Sequence, residues 1–309
     1  MRSAERPAGG QPVTLAGLIR EGVRRFRAAR LSFGHGTTRA FDEAAYLALH
    51  ALHLPPDDLQ SQLDTPLSAA QARRVRALFG RRIRERKPAA YLTHEAWLGD
   101  YCFYVDERVI VPRSYIAELL RDDLAPWVTR PQGVKSALDL CTGSACLAIM
   151  LAHGFPGAGI DATDISADAL RVARRNVADY RLKSRIRLVK SDVFAGIAGK
   201  RYDLIVSNPP YVRTAVMRRL PAEYRREPAL ALAGGRDGLD IVRNILRRAA
   251  AHLNSRGILI VEVGHNRSRV EKAFPRLEFI WPLTAGGDDC VFVLEREQLC
   301  RWQALAGPC

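Results

Sequence analysis

No uncharged apolar stretch in this chain reaches the roughly 18 residues that a membrane-spanning helix requires, so the sequence offers no candidate for a helical membrane span. The opening stretch MRSAERPAGGQPV lacks the apolar core of a secretory signal and reads as a frayed tail. Cysteine is sparse. The six residues are scattered, with no C-x-x-C pair and no His/Cys grouping at zinc spacing, which points to a reducing cytoplasm and to no structural metal. Neither an internal repeat nor a low-complexity segment occurs. Two phosphate-loop patterns are missing as well. DLCTGSACLA (Asp139–Ala148) lacks the first and third glycines of G-x-G-x-x-G, and no lysine follows the glycines of AGGRDGLD (Ala233–Asp240). The second stretch reads instead as a turn capping the next helix.

The 309 residues suffice for two domains, or for one large domain with an extension, and for a sizeable core. Apolar content of 48% and charged content of 26% are ordinary for a globular protein. The net charge is +14, carried mostly by arginine. Such a surface favours polyanions, and it equally reflects an arginine-rich genome composition. The densest stretch is RRVRALFGRRIRERK (Arg73–Lys87). Its arginines fall all round a helix, so part of it is simply solvated, and an RNA-facing helix is the other use.

The first third reads as helical. Leu15, Leu18, Ile19, Val23 and Phe26 recur at helical spacing. DEAAYLALHALHL follows with Asp42 as its expected N-cap, its His50 and His53 reading as packing or boundary residues, and a further helix starts after Ser68. From Glu95 to Ser114 the period changes. Aromatics and valines around Gly99-Asp100 suggest a β-hairpin, and Ser114 can cap a helix through YIAELLRDDLA. From Ser136 onward, strands (136–141, 159–164, 185–190, 202–207, 257–264, 290–295) alternate with helices, which argues for a doubly wound, mostly parallel sheet.

In such a sheet ligands sit beyond the carboxyl ends of the strands, and four stretches fall there. In the first, Gly143 lets a ligand approach the main chain, and the strand-end acid Asp139 suits a cationic ligand better than a pyrophosphate; an ordinary tight turn is the alternative. In the second, Asp164 can accept both hydroxyls of a ribose, while Ser166 is the better helix cap and Asp168 a surface residue. In the third, Asp192 can bond an adenine amine with Val193 or Phe194 lining the base; a polar turn with core aromatics is the equal alternative. The fourth is SNPPYV (Ser207–Val212), where the strand stops at two prolines that cannot extend a sheet. The Asn208 amide oxygen and the Asn208 and Pro209 carbonyls lie close together, a flat –NH2 group can donate to two such acceptors at once, and the Tyr211 ring can pack on the same plane. That combination holds a planar nitrogen with its lone pair towards an electrophile.

The small-residue loop, the acid ending the second strand and N-P-P-Y together resemble the class-one methyltransferases that use S-adenosylmethionine and act on a planar nitrogen. N-P-P-Y alone is shared with DNA adenine and RNA guanine methyltransferases. The longer stretches YLTHEAWLGDYCFYVDERVIVPRSYIAELL and LPAEYRREPALALAGGRDGLDIVRNIL resemble the HemK-like glutamine methyltransferases, most of all the PrmB branch, which methylates a glutamine of ribosomal protein L-three. The likeness spans residues 14 to 300.

The resemblance implies an α/β fold, a Rossmann-like doubly wound class-one methyltransferase sheet, with an N-terminal helical substrate-recognition domain (1–93), a β-hairpin and linker helix (94–130) and the S-adenosylmethionine-dependent domain (131–309). It implies that Thr142, Gly143, Ser144, Ala145, Cys146, Asp164, Val193 and Asn208 bind the cofactor, to which the strand-end acids Asp139 and Asp192 are added from their own chemistry, and that Asn208, Pro209, Pro210 and Tyr211 receive the glutamine. The charge of the arginine-rich helices adds ribosomal RNA as an expected contact, and the composition points to no metal, no membrane and a cytoplasmic setting. The chain departs from the family at Ala145, where glycine is usual and a methyl could crowd the cofactor, and at Tyr115, where proline is common and its loss could loosen the chain. The alternatives are a release-factor glutamine methyltransferase, a nucleic-acid amino-methyltransferase and a cofactor-binding protein without turnover.

Overall fold

A computed structural model describes residues 13–55 and 59–306. Residues 1–12 of the expected tail lie outside the described residues. The chain divides between Thr93 and His94 into two compact units.

The first unit is helical: α1 (Leu15–Ala28), α2 (Ala40–Leu52), the single turn α3 (Leu59–Gln62), α4 (Ala69–Glu85) and α5 (Ala89–Thr93). Leu15, Leu18, Ile19 and Phe26 of α1 are buried on one face, as their spacing predicts, against Leu47 of α2 and Val75 and Phe79 of α4; Val23 is half-buried at its margin. Gly22 permits that approach, since a Cβ there would lie 2.7 Å from the Phe79 ring. Ser68 and Gln71 form a reciprocal capping box at α4. Asp42 does not cap α2. The helix begins earlier, taking Ala40 into the core, with Arg39 as an N-cap that makes no side-chain bond; Asp42 sits in the first turn, where a negative charge still suits the helix dipole. The arginine run is not all solvated. Arg82 is fully buried, its Nε 2.7 Å from Glu43 Oε1 and its Nη2 on the Ser32 carbonyl.

The second unit opens with the expected antiparallel hairpin, β1 (Glu95–Leu98) and β2 (Tyr101–Tyr104), turning at Gly99-Asp100. There follow α6 (Ile116–Arg121), β3 (Ser136–Leu140), α7 (Cys146–Gly154), β4 (Gly159–Asp164), α8 (Ala167–Asp179), β5 (Ile186–Lys190), β6 (Tyr202–Ser207), α9 (Thr214–Met217), α10 (Asp240–Arg248), β7 (Leu253–Glu262), α11 (Arg267–Ala273), β8 (Val291–Glu295) and α12 (Arg296–Ala306). The sheet order is β5-β4-β3-β6-β7-β8, parallel except for β8. Alternate residues along each strand serve opposite layers. Leu204, Val206, Ile258 and Ile260 pack towards α6 and α7, whereas Ile205, Leu259 and Val261 pack towards α10 and α12. The order reverses between β3 and β6, which opens a crevice beyond their carboxyl ends.

Candidate active site

The loop from β3 into α7 is built from left-handed backbone. Cys141 (φ 60°), Gly143 (φ 54°) and Ala145 (φ 66°) alternate with ordinary residues. Only glycine adopts this region freely, and each other residue there costs about 1–2 kcal/mol. The surroundings hold the loop in place: Thr142 N–H donates to the Thr163 carbonyl (2.9 Å), Gly143 N–H to Asp164 Oδ2 (2.9 Å) and Ala145 N–H to the Thr142 carbonyl (2.9 Å). Asp139 lies beneath it, 1% exposed. Its Oδ2 accepts from Thr142 Oγ1 (2.5 Å) and from Ala148 N–H (3.0 Å), while Oδ1 is buried with no partner. Burial pushes this carboxyl up to about 7, against the pull of those two donors.

Asp164 ends β4, its Oδ1 accepting from Ser166 N–H (2.8 Å), and burial raises its carboxyl above the usual range. Ser166, not Asp164, caps α8 through Ala169 N–H. Beyond β5, exposed Asp192 and buried Val193 share a turn. Val193 holds φ 48°, an outlier for a β-branched residue. Ser191 pins the turn by donating from Oγ to the Val193 carbonyl (2.7 Å) and accepting from Gly196 N–H (2.8 Å). Phe194 is turned into the core, where its ring stacks on His252 at 4.4 Å between centroids.

After β6 the chain leaves the sheet as expected. Asn208 Nδ2 donates to the Arg113 carbonyl (3.3 Å), and its Oδ1 accepts no hydrogen bond among the described residues. Tyr211 points its hydroxyl to Glu262 Oε1 (3.4 Å), and its ring lies so close to Gly264 that a Cβ there would approach to 2.8 Å. AGGRDGLD precedes α10 and also backs this turn: a Cβ on Gly234 would meet the Pro210 carbonyl and the Tyr211 Cα at 2.7 Å.

Two cavities meet here, both lined by Cys141, Gly143 and Asn208. One adds Asp164, Asp192, Val193 and Pro210, with Arg108 to Ile110 as a wall. The other adds Asp139, Thr142, Ser144 and Cys146, with Arg113 and Ser114 opposite. Ala145, Pro209 and Tyr211 line neither. The Ala145 methyl is packed in the core under α7, away from both spaces.

Three acids behind the site escaped the sequence reading. Glu227 is fully buried and takes Arg113 in a two-pronged bond, Nη1–Oε1 and Nη2–Oε2 both at 2.6 Å, while accepting from Val111 N–H (2.9 Å). Glu262, at the end of β7, accepts from Ser114 Oγ (2.6 Å) and Tyr115 N–H (2.9 Å), and burial pushes it up to about 7. Asp106 holds the Arg108 wall; burial opposes its charge, but bonds from Arg108 and Tyr104 outweigh that and bring it down to about 2. The only sequence signal was that EYRREP and the hairpin occur together. Tyr115 tightens the chain instead of loosening it, because its N–H, which a proline would lack, donates to Glu262.

Comparison with known proteins places this geometry. The methyltransferase small domain family matches residues 124–222, and the PrmC N-terminal domain family matches residues 18–93. The class is therefore that of the methyltransferases. A curated protein of Neisseria meningitidis serogroup B, the ribosomal protein uL3 glutamine methyltransferase, is 56% identical over 94% of this chain and 96% of its own length. Its namesakes in Bordetella pertussis (54%, 93% and 96%) and Burkholderia pseudomallei (52%, 93% and 95%) are similar throughout. The chain belongs to the family of ribosomal protein uL3 glutamine methyltransferases. Among the described residues no helix is long and apolar enough to cross a membrane.

Proposed function

We propose that this chain transfers a methyl group from S-adenosylmethionine to the side-chain amide nitrogen of one glutamine in ribosomal protein uL3 (L-three), in the cytoplasm. The observation that carries this reading is Asn208: it borders both cavities, and its Nδ2 is committed to the Arg113 carbonyl, so its Oδ1 is the acceptor left for a substrate N–H.

The residues present fit the cofactor. The orphaned, buried Oδ1 of Asp139 calls for a donor, as an ammonium group supplies. Asp164 is placed for ribose hydroxyls, and Asp192 and Val193 for the adenine. Thr142, Gly143, Ser144 and Cys146 bring main chain against the ligand, while Ala145 shapes the loop from the core side. When bound, S-adenosylmethionine supplies a methyl group activated by its sulfonium. An amide nitrogen is a poor nucleophile because its lone pair is delocalised. Acceptors on Asn208 and Pro209 draw electron density towards it and stabilise the positive charge that develops there. Pro209 and Pro210 fix the turn, and Tyr211, held by Glu262 and Gly264, supports the glutamine seat from behind, since it borders neither cavity. The proton leaves to water after transfer. The helical unit is assigned to substrate recognition, with the arginines of α4 as a ribosomal RNA contact.

The test offers labelled S-adenosylmethionine with uL3, a release factor or nucleic acid, and locates the label by mass spectrometry. One methyl on one uL3 glutamine is expected; label on either other substrate overturns the assignment. Asn208→Ala should lower turnover by roughly 10²-fold or more while cofactor affinity, read by calorimetry, persists.

A further inference from the structure

His265, Asp289 and Cys290 lie 24 and 25 residues apart in the chain, a separation that gives no zinc-type spacing, yet the fold brings their donor atoms together. His265 follows the end of β7, and Asp289 and Cys290 precede β8. The two segments are locked, since Val263 N–H donates to the Cys290 carbonyl at 2.7 Å. His265 Nδ1 is 3.0 and 3.1 Å from the two Asp289 oxygens, Cys290 Sγ is 3.6 Å from the same Nδ1, and Sγ is 3.4 Å from Asp289 Oδ1.

These separations are close to the edges of a coordination tetrahedron. Bonds of about 2.0–2.3 Å from one zinc ion set N, O and S donors roughly 3.3–3.7 Å apart. We propose that His265, Asp289 and Cys290 form a three-ligand site for a thiophilic divalent cation of the zinc type, with solvent as the fourth ligand. The donor set is soft sulfur, imidazole and one carboxylate, the mixture that zinc selects. His265 is exposed and Asp289 partly so, which gives the ion entry and an open position; Cys290 is buried and gives the fixed end.

Two competing readings are weaker. A Cys-His-Asp catalytic triad needs the thiol on one ring nitrogen and the acid on the other; here both approach Nδ1. A plain surface ion pair would draw a guanidinium to the acid. Arg267 instead takes neighbouring Asp288 (2.8 Å), and among the described residues the Asp289 carboxylate bonds only His265 and Cys290. The thiol now donates to the Gly286 carbonyl (3.4 Å). On binding, that S–H proton goes to solvent and the sulfur becomes a thiolate ligand, while the imidazole gives up the Nδ1 proton that it now donates to Asp289 and takes the tautomer with its proton on Nε2, which frees Nδ1 for the ion. The ion would tie the end of β7 to the loop before β8, where Gly286 packs on the Tyr115 ring.

The test is cobalt(II) titration of the full chain after chelator treatment, followed by zinc competition. A thiolate-to-cobalt charge-transfer band with the intense visible bands of a tetrahedral ion is expected, bleached by zinc. Cys290→Ser should abolish the charge-transfer band, and Asp289→Asn should weaken binding by about 10-fold or more. Melting of both variants without metal checks that they fold. Weak octahedral bands only, or a charge-transfer band that survives in Cys290→Ser, would overturn the proposal. Should Cys290→Ser fail to fold, His265→Ala on the exposed side decides in its place: an unchanged cobalt spectrum counts against the site.

Discussion

Ala145 holds a left-handed backbone with its methyl buried away from both cavities. The sequence flagged the right residue and misplaced the consequence, because side-chain direction in an irregular loop follows from φ and ψ, which no local pattern encodes. Replacing it by glycine, Ala145→Gly, should leave affinity for S-adenosylmethionine unchanged within error in calorimetry; a marked tightening would show that the methyl does crowd the ligand. Glu262 makes a second residue-level prediction. Its carboxyl is raised from the ordinary 4.5 to about 7, so the folded state holds the proton more tightly than the unfolded state. The stability this confers is fully present below about 4.5 and is lost as pH rises through about 7. Urea unfolding across that range should show the wild-type chain losing stability relative to Glu262→Gln; parallel profiles would refute the shift.

At the level of elements, much was readable. The inner strands of the sheet were readable as short apolar runs, buried on both faces, that alternate with helices, the hairpin from the aromatics and valines around Gly99-Asp100, and the caps at Ser68 and Ser166 from local hydrogen bonding. Asp42 failed because burying Ala40 drew α2 back past the residue with the better capping chemistry. Removing the α4 cap with Ser68→Ala should cost about 1 kcal/mol, seen as a lowered melting temperature. The same helix tests the RNA contact. Arg76 is paired with Glu21 and Arg81 with Glu85, and Arg82 is buried, but Arg73, Arg74 and Arg84 are exposed and no acid among the described residues holds them. Reversing these three to glutamate should weaken binding to a ribosomal RNA fragment and flatten its salt dependence by about one unit of slope for each phosphate no longer neutralised. An unchanged salt slope would confine the arginines to solubility.

Across the whole molecule, the cavity residues that follow a strand of the sheet, such as Gly143, Asp164, Asp192 and Asn208, were legible from that position, but the wall from Arg108 to Ser114, which comes from the segment before the sheet, escaped notice. The residues that brace the site were not legible either. Arg113 and Glu227 are 114 residues apart, and nothing local in either neighbourhood announces a pairing that only the folded topology creates. Glu227→Ala should leave a half-buried guanidinium without its counter-charge, which costs up to about 3–5 kcal/mol when such a pair is broken, measurable by chemical denaturation. In cells lacking this chain, one uL3 glutamine should be found without its methyl; a fully modified protein would assign that chemistry elsewhere.

The hold of Arg113 on Asn208 carries a further consequence. The Asn208 amide, which is proposed to meet the substrate, is steadied by a peptide carbonyl from the segment before the sheet, and that segment is anchored by an acid that borders neither cavity. Damage at Glu227 would therefore mimic damage at the reaction centre itself, and an inventory of cleft-lining side chains would miss the culprit.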